Sequence, residues 1–261
     1  MSFERLNMYG NYMQGIADQA GDIIRSGFDQ DLDVTIKDDN TLVTPIDKVV
    51  DYLVSNSVKK YFPDFGYLGE ETGGNTDADR FWVCDPLDGT NTYIKSIPLA
   101  AFSMSLIEQG EIVASIIHDP FTQRSVLAAK NEGTWMNGRQ LHVSKQKTLQ
   151  NANIDISWGD EGYIHRLRSL RKLGAKVVKM DATIYTGMLV SMGKMDADIF
   201  TGNKIWDIAP QSLAVTEAGG QATTLNGDAV VPEETIDGLI LSNGLLHDQI
   251  LEIVQSSRRA N

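Results

Sequence analysis

The chain has 261 residues, a formal net charge of −12, and a composition that is 42% hydrophobic. Such a chain can bury a real core in one large domain or two packed ones, which excludes wholesale disorder. It lacks the basic face that nucleic acid or an anionic membrane requires, and no apolar run is long enough to cross a bilayer.

Cys84 is the single cysteine, so no internal disulfide forms. The stretch Met1-Ser-Phe-Glu-Arg-Leu-Asn7 shows no basic-then-apolar leader, and a cytoplasmic setting is expected. The four histidines show no zinc-ligand spacing.

From Leu6 to Gly27, apolar residues fall at helical spacing (Met13, Ile16, Ala17, Ala20, Ile23, Ile24), with Gly27 as a stop. Val34 to Val43 suggests two short strands around Lys37-Asp38-Asp39-Asn40. Thr44-Pro45-Ile46-Asp47 opens a second helix, capped by Thr44 and running to Tyr61, with Val49, Val50, Leu53 and Val54 expected inward. Strands are expected at Phe65–Leu68, Arg80–Cys84, Ala100–Gln109, Ile112–His118 and Ser125–Ala129, with hairpin signals at Gln109-Gly110 and Asn137-Gly138. This half predicts two helices on a largely antiparallel sheet. From about Ser144, helices at 161–173, 185–192, 208–217 and 246–256 alternate with strands at 176–179, 197–200, 221–224 and 239–241. Alternation of that kind argues for an α/β half with a more parallel sheet. The expected boundary divides 1–143 from 144–261, with a site between the closely packed halves.

The most informative segment is Phe81-Trp-Val-Cys-Asp-Pro-Leu-Asp-Gly-Thr90. Asp85 and Asp88 follow an apolar run, with Pro86 between them and Gly89-Thr90 just after. Strand, then acid-Pro-apolar-acid-Gly-Thr, predicts a tight turn lined with oxygen ligands, the environment that Mg²⁺ shares with water and phosphate. The same turn can aim backbone N–H groups at an anion. Glu70 and Asp207 also follow short apolar runs. Each acid alone reads first as a surface carboxylate or a helix cap, and for Asp47 the helix dipole is reason enough. Together they suggest a metal-phosphate crevice.

Gly69-Glu70-Glu71, Trp82-Val-Cys-Asp-Pro-Leu-Asp-Gly-Thr90, and Trp206-Asp207-Ile-Ala with Glu217-Ala-Gly-Gly220 resemble the inositol monophosphatase family. Thr44-Pro-Ile-Asp47, Ile117-His-Asp-Pro120 and Met136-Asn-Gly138 support the match. The resemblance implies a layered sandwich of alternating α-β-α-β-α layers and Mg²⁺-dependent hydrolysis of a small phosphomonoester, with two or three ions. It assigns the metals to Glu70, Asp85, the Leu87 carbonyl, Asp88 and Asp207. It assigns water activation to Asp47 and Thr90 with help from Glu70, and phosphate binding to the N–H groups of Gly89 and Thr90. It also implies a homodimer and lithium sensitivity.

The chain departs from the family pattern on the substrate side. Phe200 stands where inositol phosphatases commonly carry a glutamate that hydrogen-bonds inositol hydroxyls. Asp181-Ala182-Thr183 replaces a Gly-Ser/Thr-Ala run. Phe200 is either an apolar strand end or a face for a sugar ring or base. Lys204 is either a surface lysine or an attractor for an anionic substituent. Inositol 1-phosphate is the expected substrate. Fructose 1,6-bisphosphate, 3′-phosphoadenosine 5′-phosphate and histidinol phosphate are the alternatives, and a non-catalytic ligand-binding relative is a third class.

Overall fold

The computed structural model describes residues 4–37, 41–157, 162–232 and 235–259. The first helices are α1 (Glu4–Gly27) and α2 (Pro45–Tyr61), separated by the two-residue strands β1 (Thr35–Ile36) and β2 (Leu42–Val43). Thr44 caps α2 as its sequence predicts: the Thr44 side chain accepts from Ile46 N, and Asp47 accepts from Thr44 N. The expected turn at Asp38–Asn40 lies outside the described residues. The inward stripe of α2 is Asp47, Val50, Asp51, Val54 and Val58. Val49 was expected inward but is 51% exposed, because the face is set by i, i+3 and i+4 spacing from Asp47. Each valine on that stripe gains about 1.5–3 kcal/mol from burial.

An eight-stranded sheet follows, built from β3 (Gly66–Gly69), β4 (Gly73–Asn75), β5 (Arg80–Asp88), β6 (Ala101–Glu108), β7 (Glu111–Asp119), β8 (Arg124–Ala129), β9 (Gly133–Met136) and β10 (Arg139–Gln140). The short helix α3 (Thr90–Tyr93) lies between β5 and β6. The sheet order is β10-β9-β8-β7-β6-β5-β3-β4, and only β3 and β5 pair in parallel. Both expected hairpin turns take positive φ at both central residues, at Gln109-Gly110 and Asn137-Gly138.

The second sheet holds β11 (Asn153–Ile156), β12 (Lys176–Val178), β13 (Ala197–Lys204), β14 (Gln221–Thr224) and β15 (Thr235–Ser242), in the order β12-β11-β13-β15-β14. Its helices are α4 (Tyr163–Lys172), α5 (Thr183–Ser191), α6 (Ile205–Glu217) and α7 (His247–Arg259). β11 pairs in parallel with β12 and β13, and β15 runs antiparallel to β13 and β14. The second sheet is thus the more parallel of the two, and it is mixed. The strand β11 was not anticipated, although Asn153-Ile-Asp-Ile156 alternates polar and apolar residues as a strand does. The expected start of α4 at Glu161 falls outside the described residues.

The layers run α1/α2, eight-stranded sheet, α5/α6, five-stranded sheet, α4/α7. This is the alternating α-β-α-β-α sandwich that the sequence resemblance implies. The middle helices α5 and α6 touch both sheets, so residues at their N-termini meet the end of β5. α6 begins at Ile205 rather than Ile208, which places Pro210 inside the helix.

Candidate active site

The Asp85–Asp88 segment is a bulged strand end rather than a free turn. β5 runs through Asp88, and its register against β6 shifts between Asp85 (opposite Ser103) and Asp88 (opposite Ala101). Pro86 lacks an N–H for the ladder, so the pairing slips there. Asp85 Oδ1 accepts from Leu87 N at 2.9 Å. Gly89 then reverses the chain at φ +84°, where a Cβ would sit 2.9 Å from Leu99 O. The first N–H groups of the turn at Thr90 have no acceptor inside that turn, leaving them able to meet an anion.

Thr90 and Asp47 meet across the crevice. Thr90 Oγ1 lies 3.1 Å from Asp47 Oδ1 and 3.0 Å from the Leu87 carbonyl. The other Asp47 oxygen accepts from Thr44 N (2.8 Å) and Thr44 Oγ1 (2.6 Å). The N-cap of α2 therefore fixes the carboxylate that faces Thr90. Burial raises the Asp47 pKa, and the bonds from Thr44 oppose the rise.

The acids expected around the crevice are electrostatic neighbours. Asp85 and Asp88 are buried, while Glu70 and Asp207 are partly exposed. Burial pushes the Asp85 carboxyl well above its ordinary range, and Glu70, Asp207 and Asp88 push it further. Asp207 is raised well above its range by burial, then by Glu70 and Asp88. Asp88 is raised to about 6 by burial, against the pull of N–H groups from α5. Those groups are Thr183 N on Oδ1 (2.9 Å) and Tyr185 N on Oδ2 (2.8 Å). Asp207 stands in the first turn of α6, where Lys204 N reaches its Oδ2 at 3.3 Å.

Two residues that matter here were not singled out from the sequence. Lys37 Nζ binds Glu70 Oε1 at 2.8 Å and also binds Glu71. Burial raises the Glu70 pKa, and Lys37 pulls it down. Asp51, one turn after Asp47 on the same face of α2, accepts from Glu71 N (2.6 Å), Thr72 N (2.9 Å), Thr72 Oγ1 (2.9 Å) and the Tyr67 hydroxyl. It pins the loop that carries Glu70. Gly69 is the position that admits it, since a Cβ there would lie 2.1 Å from Asp51 Oδ1. The Asp47–Asp51 spacing of i, i+4 was the available signal.

The substrate-side expectations separate. Thr183 reaches the site through its N–H on Asp88. Asp181 is exposed, sits at φ 62°, accepts from Asn91 Nδ2 at 3.1 Å and pairs with Lys179 at 2.8 Å. Lys204 is exposed at the start of α6. Phe200 is a correction: it is 1% exposed and packs with Val190, Ile208, Val215 and Leu239. A side chain sealed in the core offers no face to a sugar or base.

All the donors in this set are oxygens and their charges repel one another, which fits a hard divalent cation. Among the described residues, no three Asp, Glu, His or Cys side chains converge closely enough to hold an ion as they stand. Glu70 is held by Lys37, and both Asp88 oxygens are taken by α5. No helix among the described residues is long and apolar enough to cross a membrane.

Comparison with known proteins gives the same direction. The histidinol-phosphatase of Mycobacterium tuberculosis is 31% identical over 247 residues, covering 90% of this chain and 94% of that one. The fructose-1,6-bisphosphatase/inositol-1-monophosphatase of Thermotoga maritima is 28% identical over 225 residues, 82% of each chain. A solved IMPase/NADP phosphatase, complexed with Mg²⁺ and phosphate, shares the fold with a TM-score of 0.85 at 24% identity and covers 95% of both chains. The profile of the inositol monophosphatase family matches residues 10–259. The chain belongs to the inositol monophosphatase family and is a phosphoric monoester hydrolase.

Proposed function

We propose that the protein hydrolyses a small phosphomonoester with Mg²⁺, by attack of water held at the Thr90–Asp47 pair. The observation that carries the reading is the 3.1 Å contact of Thr90 with Asp47 beside the mutually repelling acids. Glu70, Asp85, the Leu87 carbonyl, Asp88 and Asp207 would hold the ions. When bound, Mg²⁺ neutralises the phosphate dianion and lowers the pKa of water. Asp47, fixed by Thr44, accepts the proton of the Thr90 hydroxyl, and Thr90 in turn orients and accepts from the attacking water. Glu70 assists once released from Lys37. The N–H groups of Gly89 and Thr90 receive the phosphate oxygens.

The first substrate to test is inositol 1-phosphate. Histidinol phosphate is the second reading. The buried Phe200 leaves no acceptor for inositol hydroxyls at its position, while a cationic substituent could meet exposed Asp181 by displacing Lys179. Similarity to the M. tuberculosis enzyme also supports it. Fructose 1,6-bisphosphate and 3′-phosphoadenosine 5′-phosphate complete the panel. Phosphate release with and without Mg²⁺ tests the chemistry, and comparison of kcat/KM across the panel tests the substrate. Full activity in folded Asp88→Asn protein would reject the mechanism. The reading includes a cytoplasmic homodimer inhibited by lithium. Sedimentation at micromolar concentration and a lithium titration check those parts.

A further inference from the structure

A pair of acids beneath α5 has no part in the proposed chemistry. In the parallel ladder of β11 and β13, Asp155 stands opposite Asp198. Their neighbours Ile154, Ile156, Ala197 and Ile199 lie in the core that includes Leu170 of α4 and Ile250 of α7. Strand alternation therefore turns both acids to the opposite face, toward α5. They are 4% and 1% exposed. Aspartate is a poor strand former and costly to bury, so packing alone would favour apolar residues at both positions.

The contacts of Asp155 point to a different purpose. Its Oδ1 accepts from Met180 N at 3.3 Å, and its Oδ2 lies 3.3 Å from Thr186 Oγ1. Between those two anchors, Thr183 N and Tyr185 N donate to the two oxygens of Asp88. Asp155 holds both ends of the stretch whose middle grips Asp88. Thr186 Oγ1 also lies 2.9 Å from Ala182 O, so its hydroxyl is shared between that carbonyl and Asp155 Oδ2. Asp198 Oδ2 has no hydrogen-bond partner among the described residues, and burial raises both carboxyls, while the Lys179 ammonium pulls each one down. Two side-by-side buried acids each oppose the other's ionisation.

We propose that Asp155, backed by Asp198, is a positioning residue for the phosphatase site: it fixes the Met180–Thr186 segment and so fixes the carboxylate of Asp88. The inference rests on Asp88 serving the metal-phosphate site as proposed above.

The test compares wild type, Asp155→Ala, Asp155→Asn and Thr186→Val. Hydrogen exchange at the Thr183 and Tyr185 amides is measured without metal, and Mg²⁺ binding is measured by calorimetry. Asp155→Ala is expected to speed exchange at both amides and weaken Mg²⁺ on the order of tenfold, with substrate KM changed less than about threefold. Asp155→Asn keeps an acceptor for Met180 N and a polar group of the same shape against the Thr186 hydroxyl, so it should restore wild-type values. Unchanged exchange and Mg²⁺ affinity in folded Asp155→Ala would overturn the inference. If that variant does not fold, Thr186→Val carries the same test: faster exchange at both amides supports the inference, and unchanged exchange overturns it. Wild type that neither binds Mg²⁺ nor releases phosphate would reject the functional reading instead. The exchange arm would still decide whether Asp155 positions the segment on Asp88.

Discussion

Thr90 Oγ1 lies 3.1 Å from Asp47 Oδ1, joining the first turn of α3 to the first turn of α2. The Leu87 carbonyl is a second acceptor at 3.0 Å, so the hydroxyl can change partners without losing a bond. Removing a group that orients and deprotonates water costs about 10²–10⁴ in rate. Thr90→Ala and Asp47→Asn should each lower kcat by about that factor with little change in KM. Thr90→Ser keeps the hydroxyl and should retain most activity. Steady-state kinetics on purified variants checks this, and a Thr90→Ala enzyme with wild-type kcat would refute the role.

Lys37 occupies Glu70 with its ammonium group, in competition with any cation that Glu70 would bind. Partly exposed ion pairs of this kind are worth about 0.2–1 kcal/mol. Lys37→Met should therefore reduce the Mg²⁺ concentration for half-maximal activity by about two- to fivefold. A Mg²⁺ titration of activity reads the shift directly, and weaker Mg²⁺ binding would mean that Lys37 assists the site.

The crevice acids also predict a pH dependence of stability. Asp88 is raised to about 6, and Asp85 and Asp207 are raised well above the carboxylate range. A raised carboxyl pKa means that the folded protein holds protons the unfolded chain has lost. Stability from these groups is fully present below the ordinary carboxylate pKa, and it is lost as pH rises through 6 and beyond. Metal-free protein should therefore melt at a higher temperature at pH 5.5 than at pH 7.5, as far as these groups decide it. Mg²⁺ should raise Tm more at pH 7.5, where it replaces protons that have left. Thermal melts at both pH values, with and without Mg²⁺, test both statements; an equal Mg²⁺ effect at both would count against the acids as its binding site.

Gly69 has a steric duty that its strand position hides. An added Cβ would fall 2.1 Å from Asp51 Oδ1, displacing the carboxylate that pins Glu71 N and Thr72 N. Gly69→Ala should destabilise the protein by about 1–3 kcal/mol through overpacking. It should also lower activity in the folded fraction, because the Glu70 loop moves. Denaturant melts paired with specific activity separate the two effects, and a neutral substitution would remove Asp51 from the account.

The legible part of this protein was local. Thr44, Pro45 and Asp47 define their helix start through bonds within one turn. The Asp-Pro-Leu-Asp-Gly-Thr segment announces its chain reversal through Gly89, whose backbone freedom holds in any context, while the bulge at Pro86 came from the pairing of β5 with β6. The helices and strands show in periodicities spread over many residues, and the layer order was what the family resemblance implied.

What only the folded chain decided was which side chains far apart in sequence meet, and which face each one turns. Lys37 on Glu70, Asp51 under Gly69 and Asp155 against Asp198 have no local signature, because each depends on the register of segments that contact only after packing. Phe200 was open to two readings for the same reason. An apolar residue at the end of a strand looks identical in sequence whether it lines a crevice or seals a core, and α6 packing over β13 sealed it.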